Sequence, residues 1–147
     1  MNERTVLFVC VENACRSLMA ESMFNADPPP GFRAISAGTE PARQPNPRTA
    51  PMLREIGLAI PDHPPAALAP SMMASAEVVV TMGCLDRASC PAGLRSRPVR
   101  DWGLPDPGPL DDEGFRQVRD ELRSRVDRLR KELSEVRAPR DESVRPG

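Results

Sequence analysis

The sequence predicts a single α/β domain, a parallel sheet covered on both faces by helices, and three observations predict it. The apolar run Val6-Leu7-Phe8-Val9 ends on Cys10 and passes within a few residues into the helix-forming segment Leu18 to Phe24. A second strongly apolar run, Val78-Val79-Val80, lies in mid-chain. Phe115, Val118, Leu122, Val126, Leu129, Leu133 and Val136 then recur at every third or fourth position, the period of a helix with one buried stripe. Strands that alternate with helices pair in parallel and bury both of their faces.

Taken in order, strand 1 is expected over about residues 4–10, a loop over 10–17 and helix 1 over about 17–27. Arg33-Ala34-Ile35-Ser36-Ala37-Gly38 has the pattern of a short strand closed by a glycine turn. Pro47 to Pro51 opens a helix that carries Met52, Leu53 and Ile56 and stops at Gly57. A short helix near Ser71–Ser75 follows a proline-rich link, and Glu77 to Gly83 is the next strand, with Cys84 just past its end. Val99 to Trp102 supplies a fourth strand, and the periodic segment forms the last helix. The domain is expected to span residues 1–137; the polar stretch 138–147, ending Arg145-Pro146-Gly147, is expected to be a flexible tail. The 18 prolines concentrate in the connections, where they restrict the unfolded chain.

Composition narrows the function. A formal charge of −1 leaves no dominant basic face, so nucleic acid is not an expected partner. No apolar run approaches the roughly 20 residues that span a bilayer, and the polar start Met1-Asn2-Glu3-Arg4-Thr5 does not resemble a signal peptide. A cytoplasmic monomer is expected. In that reducing compartment four cysteines point to catalysis, redox exchange or metal rather than to a permanent disulfide frame.

The segment Cys10-Val11-Glu12-Asn13-Ala14-Cys15-Arg16-Ser17 carries the chemistry. A loop between a buried strand and a helix start gathers N–H groups and the positive helix end on one point. Arg16 adds a planar, bidentate fork for an oxyanion. Cys10, at the mouth of this cradle, is placed to act as a thiolate nucleophile. Ligands of parallel sheets bind beyond the carboxyl ends of the strands, and Cys10 and Cys84 both lie at such ends.

Cys10 to Ser17, Ser36-Ala37-Gly38-Thr39, Thr81-Met82-Gly83-Cys84 and Asp106-Pro107 together resemble the low-molecular-weight tyrosine phosphatase fold family. The presence of both Cys84 and Cys90 is similar to its thioredoxin-coupled arsenate reductase branch. The resemblance runs from about residue 4 to residue 137. It implies a four-stranded parallel sheet and assigns roles: Cys10 attacks arsenate, Arg16 and the loop amides of Asn13, Ala14 and Cys15 hold the oxyanion, Asn13 and Ser17 fix the loop, and Asp106 protonates the departing oxygen. Cys84 would then attack the arsenic-bearing Cys10, Cys90 would take over Cys84, and thioredoxin would reduce the Cys84–Cys90 disulfide. Arsenate reduction consumes two electrons, which a thiol pair supplies on becoming a disulfide.

Some of these reductases hold potassium on residues similar to Asn13, Glu21 and Ser36. The positions that would complete that site fall near His63 and Pro65 and do not match, and neither a metal nor a cofactor is expected.

The sequence also departs from the family at Glu12, where a small residue is usual, and at Gly108-Pro109, where many of the phosphatases carry paired tyrosines. Other readings remain open. Hydrolysis of phosphomonoesters needs only Cys10, Arg16 and Asp106. A non-catalytic oxyanion or metal binder is a third, although gaps of four and five residues between cysteines suit zinc poorly. Cys15 reads as a small apolar residue under the loop, Asp106 alternatively as a turn cap with Pro107, and Cys84 and Cys90 alternatively as structural. His63, the single histidine, reads as an exposed loop residue. Met72, Met73, Met82 and Trp102 read as core.

Overall fold

A computed structural model describes residues 4–82 and 99–144, with side chains of the last helix through residue 135. Strand β1 (Arg4–Cys10) leads into helix α1 (Arg16–Asn25), and β2 (Phe32–Gly38) follows. Two short helices, α2 (Thr49–Arg54) and α3 (Pro70–Ser75), precede β3 (Ala76–Thr81); β4 (Arg100–Asp101) and the long helix α4 (Asp112–Val144) complete the chain. The four strands form one sheet in the order β2-β1-β3-β4, with every pairing parallel.

The period-2 alternation of β1 divides the core. Val6, Phe8 and Cys10 face a large apolar layer built from Met19, Met23 and Phe24 of α1, Leu53 of α2, and Phe115, Leu122, Val126 and Leu129 of α4. Leu7 and Val9 face a smaller layer with Ala37, Met73 and Val79. Both faces of β1 are therefore dry, which is why its sequence is a continuous apolar run. Helix α1 is buried over most of its circumference between sheet and α4, consistent with its lack of a polar face. Met73 and Met82 are buried, and the Trp102 ring packs 5.8 Å from that of Phe8, so these residues serve the core as expected.

The elements differ from expectation at their margins. Helix α1 starts at Arg16, because the Cys15 carbonyl already accepts from the Met19 N–H, and it ends at Asn25. Gly57, at φ +81°, stands where the α2 segment stops, a conformation that glycine adopts without strain. Strand β4 shrinks to two exposed residues, paired to Val80 and Thr81, before Gly103 at φ +60° turns the chain. Helical backbone continues in α4 to Val144, so the boundary expected near residue 138 does not coincide with the end of the helix. Gly83, Cys84 and Cys90 lie outside the described residues. Among the described residues no helix is long and apolar enough to cross a membrane.

Candidate active site

The carboxyl ends of β1, β2 and β3 meet at one edge, and the loop after β1 turns there into the buried start of α1. Its carbonyls point outward into hydrogen bonds with the segment after β2. Cys10 accepts from the Thr39 N–H (3.2 Å), Val11 from Glu40 (2.8 Å) and Glu12 from Ala42 (3.0 Å). The Ala14 carbonyl accepts twice, from the Asn46 N–H (3.0 Å) and the Thr49 hydroxyl (2.8 Å). With the carbonyls held outside, the loop N–H groups are left for the inside of the turn. Gly38 makes this crossing possible: a Cβ there would sit 2.5 Å from the Val11 oxygen and 2.9 Å from the Asn13 nitrogen.

Cys10 is buried at the centre of the turn. Its Sγ receives the Asn13 N–H at 3.2 Å and lies 2.9 Å from the Ser17 hydroxyl. Asn13 holds φ at +52°, a left-handed conformation that asparagine tolerates better than most residues. Its side chain secures that strain. Nδ2 donates to Ser17 Oγ (2.6 Å) and Ser36 Oγ (3.0 Å), while Oδ1 accepts from the Ala66 N–H (2.8 Å). Because Ser17 Oγ already accepts from Asn13, its own proton is free to point at the sulfur.

Beyond Ser36 the network reaches the surface. The Ser36 hydroxyl donates to Glu21 at 2.6 Å, and His63 Nε2 lies 2.9 and 3.0 Å from the two Glu21 oxygens. His63 Nδ1 is 2.7 Å from the Pro64 carbonyl. Both ring nitrogens face acceptors, an arrangement that favours the doubly protonated ring. Burial works against that charge, but the hydrogen bonds to Pro64 and Glu21 outweigh it and raise the His63 pKa. His63 is thus half-buried and built into the site's support, which corrects the expectation of an exposed loop residue. Nothing local in Pro61-Asp62-His63-Pro64 signals a partner 42 residues away.

The residues named in the potassium comparison are engaged with one another: Asn13 bonds to Ser36, Ser36 to Glu21, and His63 stands at the Glu21 carboxylate. No group of three metal-ligating side chains occurs among the described residues.

Arg16 is buried, donates through Nη1 to the Leu104 carbonyl at 2.9 Å, and has an Nε without a partner among the described residues. Cys15 lies beneath the loop. Burial, with the nearby Cys10 and Asp106, pushes its thiol up to about 12, and its Sγ is 3.9 Å from Asp106 Oδ1. Asp106 is exposed at the rim and accepts from the Gly108 N–H at 2.9 Å, the turn that Asp-Pro favours. Cys10, Glu12, Ala14, Cys15, Arg16 and Asp106, with Val11, line a cavity of about 220 Å³, and the Glu12 side chain stands exposed at its edge. A larger hollow of about 430 Å³ near Leu58 and His63 is lined by no cysteine.

The structure thus brings Cys10, Asn13, Ala14, Cys15, Arg16, Ser17 and Asp106 together from the carboxyl ends of β1 and β4. It also shows Arg48, which the sequence did not single out: its Nη2 donates to the carbonyls of Gly108 (2.8 Å) and Pro107 (3.3 Å). Cys84 and Cys90 are not placed by it.

Comparison with known proteins agrees with this geometry. Arsenate reductase 1 of Staphylococcus epidermidis is 30% identical over 128 residues, which is 86% of this chain and 96% of that protein. A thioredoxin-dependent arsenate reductase of Corynebacterium glutamicum superposes with a TM-score of 0.74 at 28% identity, over 92% of this chain and 64% of that one. An arginine phosphatase of Geobacillus stearothermophilus superposes with a TM-score of 0.79 at 26% identity, over 92% of this chain and 96% of that one. Residues 5–138 match the family described as low molecular weight phosphotyrosine protein phosphatase, and with its cysteine-centred turn after β1, its four parallel strands and these relatives, the chain belongs to that family of enzymes.

Proposed function

We propose that the protein reduces arsenate to arsenite through a cysteine relay that thioredoxin re-reduces. The observation that carries an oxyanion substrate is Cys10 and the buried Arg16 lining one cavity, with the Arg16 Nε lacking a partner among the described residues. A buried guanidinium N–H left unpaired is costly, and a tetrahedral oxyanion over Cys10 would satisfy it. Arsenate rather than a phosphate ester is supported by the curated relatives at 30% identity and by two further cysteines in the sequence, Cys84 and Cys90.

The residues divide the work as follows. The Cys10 thiolate attacks arsenic, the loop N–H groups and Arg16 hold the remaining oxygens, and Asp106 gives a proton to the departing oxygen, which leaves as water. Cys84 then attacks the Cys10 sulfur. The sulfur–arsenic bond breaks, its electron pair stays on arsenic, and arsenic passes from the pentavalent to the trivalent state as arsenite leaves. The product is a Cys10–Cys84 disulfide. Cys90 displaces Cys10 from it, and the dithiol of thioredoxin reduces the resulting Cys84–Cys90 bond. Met82, the last described residue of that segment, donates its N–H to Val9 at the end of β1, and Cys84 follows two positions later in the sequence. We place the enzyme in the cytoplasm, as a monomer, where thioredoxin is available.

The fold similarity to an arginine phosphatase favours one competing reading, hydrolysis of a phosphoryl group through a phosphocysteine on Cys10. One experiment separates the two. Arsenate-dependent NADPH oxidation is followed with thioredoxin and thioredoxin reductase, for the wild type, Cys84→Ser and Cys90→Ser. Turnover that both variants lose by more than 100-fold supports the relay. No turnover in the wild type, with p-nitrophenyl phosphate hydrolysed equally by all three proteins, replaces the reductase with a phosphatase.

A further inference from the structure

Asp106 is exposed on a loop that follows a two-residue strand, and the bond from the Gly108 N–H fixes only the turn's internal shape. Arg16 ties the loop to the Cys10 turn ahead of the acid, at the Leu104 carbonyl. A second tie after Asp106 is needed to fix its direction, since a proton donor is useful only within hydrogen-bond reach of the departing atom.

The segment 46–49 touches both. On one side, the Asn46 N–H and the Thr49 hydroxyl grip the Ala14 carbonyl of the Cys10 turn. On the other, Arg48 reaches the acid loop. Its Nη2 donates to the carbonyls of Pro107 and Gly108, the two residues after Asp106, and its Nη1 lies 3.2 Å from Asp112 at the start of α4. The guanidinium lies over the buried Phe115 ring, 4.7 Å from its centroid. The stem is fixed as well: the Arg48 N–H is held by Asn46 Oδ1 at 2.9 Å. The ion pair to exposed Asp112 adds little. What distinguishes this arginine is a planar guanidinium stacked on a ring, with Nη2 on two successive carbonyls and Nη1 on Asp112, a combination that lysine cannot reproduce.

We infer that Arg48 is a positioning residue for the acid step: it clamps the 106–108 loop to the same short segment that anchors the Cys10 turn, and so fixes the donor carboxyl relative to the nucleophile. The inference rests on the proposed role of Asp106 as acid. It assigns Arg48 no contact with the oxyanion, so binding in the cradle is independent of it.

A double-mutant cycle tests this. Turnover of arsenate with thioredoxin, and of p-nitrophenyl phosphate in parallel, is measured for the wild type, Arg48→Ala, Arg48→Lys, Asp106→Asn and the double variant Arg48→Ala/Asp106→Asn. Interaction through Asp106 makes the two losses non-additive. The expected result is a loss of about tenfold in kcat for Arg48→Ala with KM within twofold, a similar loss for Arg48→Lys, and less than a twofold further loss when Asp106 is already asparagine. A general loosening of the fold would instead lower activity by the same factor in both backgrounds. Equal losses in the two backgrounds, or a kcat for Arg48→Ala within twofold of wild type, overturn the inference. If Asp106→Asn alone changes nothing in either reaction, it is the acid role of Asp106 that fails, and with it the basis for the clamp.

Discussion

Replacing Gly38 by alanine tests the architecture of the site through a residue that touches no substrate. The added Cβ would meet the Val11 carbonyl oxygen at 2.5 Å, the Asn13 nitrogen at 2.9 Å and the Glu12 carbonyl carbon at 3.0 Å, where ordinary contact begins near 3.4 Å. All three are backbone atoms of the Cys10 turn, so no side chain can swing aside. Relief requires the turn to retreat by roughly 0.9 Å from the end of β2, judged from the closest contact. That displacement acts on the Asn13 N–H, one of the two donors aimed at the sulfur. Misplacement of reacting groups by about 1 Å costs on the order of 100-fold in rate. Overpacking of this kind costs about 1–3 kcal/mol in stability, equivalent to a fall in Tm of roughly 2–12 °C for a chain of this size. The assay is arsenate turnover with thioredoxin beside a thermal melt. Gly38→Ala turning over within threefold of wild type at an unchanged Tm would refute the idea that backbone crowding at this crossing shapes the turn.

Two further outcomes follow from the electrostatics. Glu55 joins the end of α2 to α4 through Arg116 and Arg119, whose hydrogen bonds lower its pKa from 4.5 to about 2. A depressed carboxyl contributes stability that is present above pH 4.5 and lost as pH falls toward 2; the Tm of Glu55→Gln should lie below that of the wild type at neutral pH and converge with it in acid, whereas a gap independent of pH would exclude the ion pairs as its source. His63→Ala leaves the buried Glu21 carboxylate with only the Ser36 hydroxyl among these partners, a loss of about 1–3 kcal/mol. The loss should be largest at low pH and fade as pH rises through the raised pKa of His63, because above it the wild-type ring has lost its charge as well; chemical denaturation of the two proteins at pH 6 and pH 9 checks the sign.

What could be foreseen depended on how local the determinant was. The unbroken apolar run of β1, followed by a cysteine and an arginine six residues further on, fixes strand, turn and helix start within 15 residues, because both faces of that strand must be dry. The stripe of α4 is equally local. Asn13, Arg16 and Ser17 were legible for the same reason. Strand β4 was less so, since its two residues are exposed and are held only by their pairing to Val80 and Thr81. Arg48 and His63 were not legible as site residues at all. Each looks like a solvated loop residue, and each acquires its partners 59 or 60 and 42 positions away, through a loop packing that no periodicity records. The structure leaves the same kind of gap at Cys84 and Cys90, whose proposed part depends on reaching Cys10 and then each other.

The two cysteines of the turn differ in a way that supports the proposal of resolving thiols elsewhere in the chain. Cys10 and Cys15 are five residues apart and line one cavity, so Cys15 is the nearest candidate in sequence to resolve an adduct on Cys10. Exchange requires a thiolate, however, and the Cys15 thiol is pushed up to about 12, chiefly by burial and then by the neighbouring Cys10 and Asp106. The donors of the turn are spent on the other sulfur: the Asn13 N–H and the Ser17 hydroxyl meet Cys10, while Cys15 is 3.9 Å from a carboxylate oxygen that repels the charged form. One loop thus holds a sulfur prepared to attack and another held back from attacking. In the proposed relay the second thiol, whose attack on the Cys10 sulfur leaves the sulfur–arsenic electron pair on arsenic, comes from outside this environment. The sequence supplies Cys84, three residues beyond the end of β3.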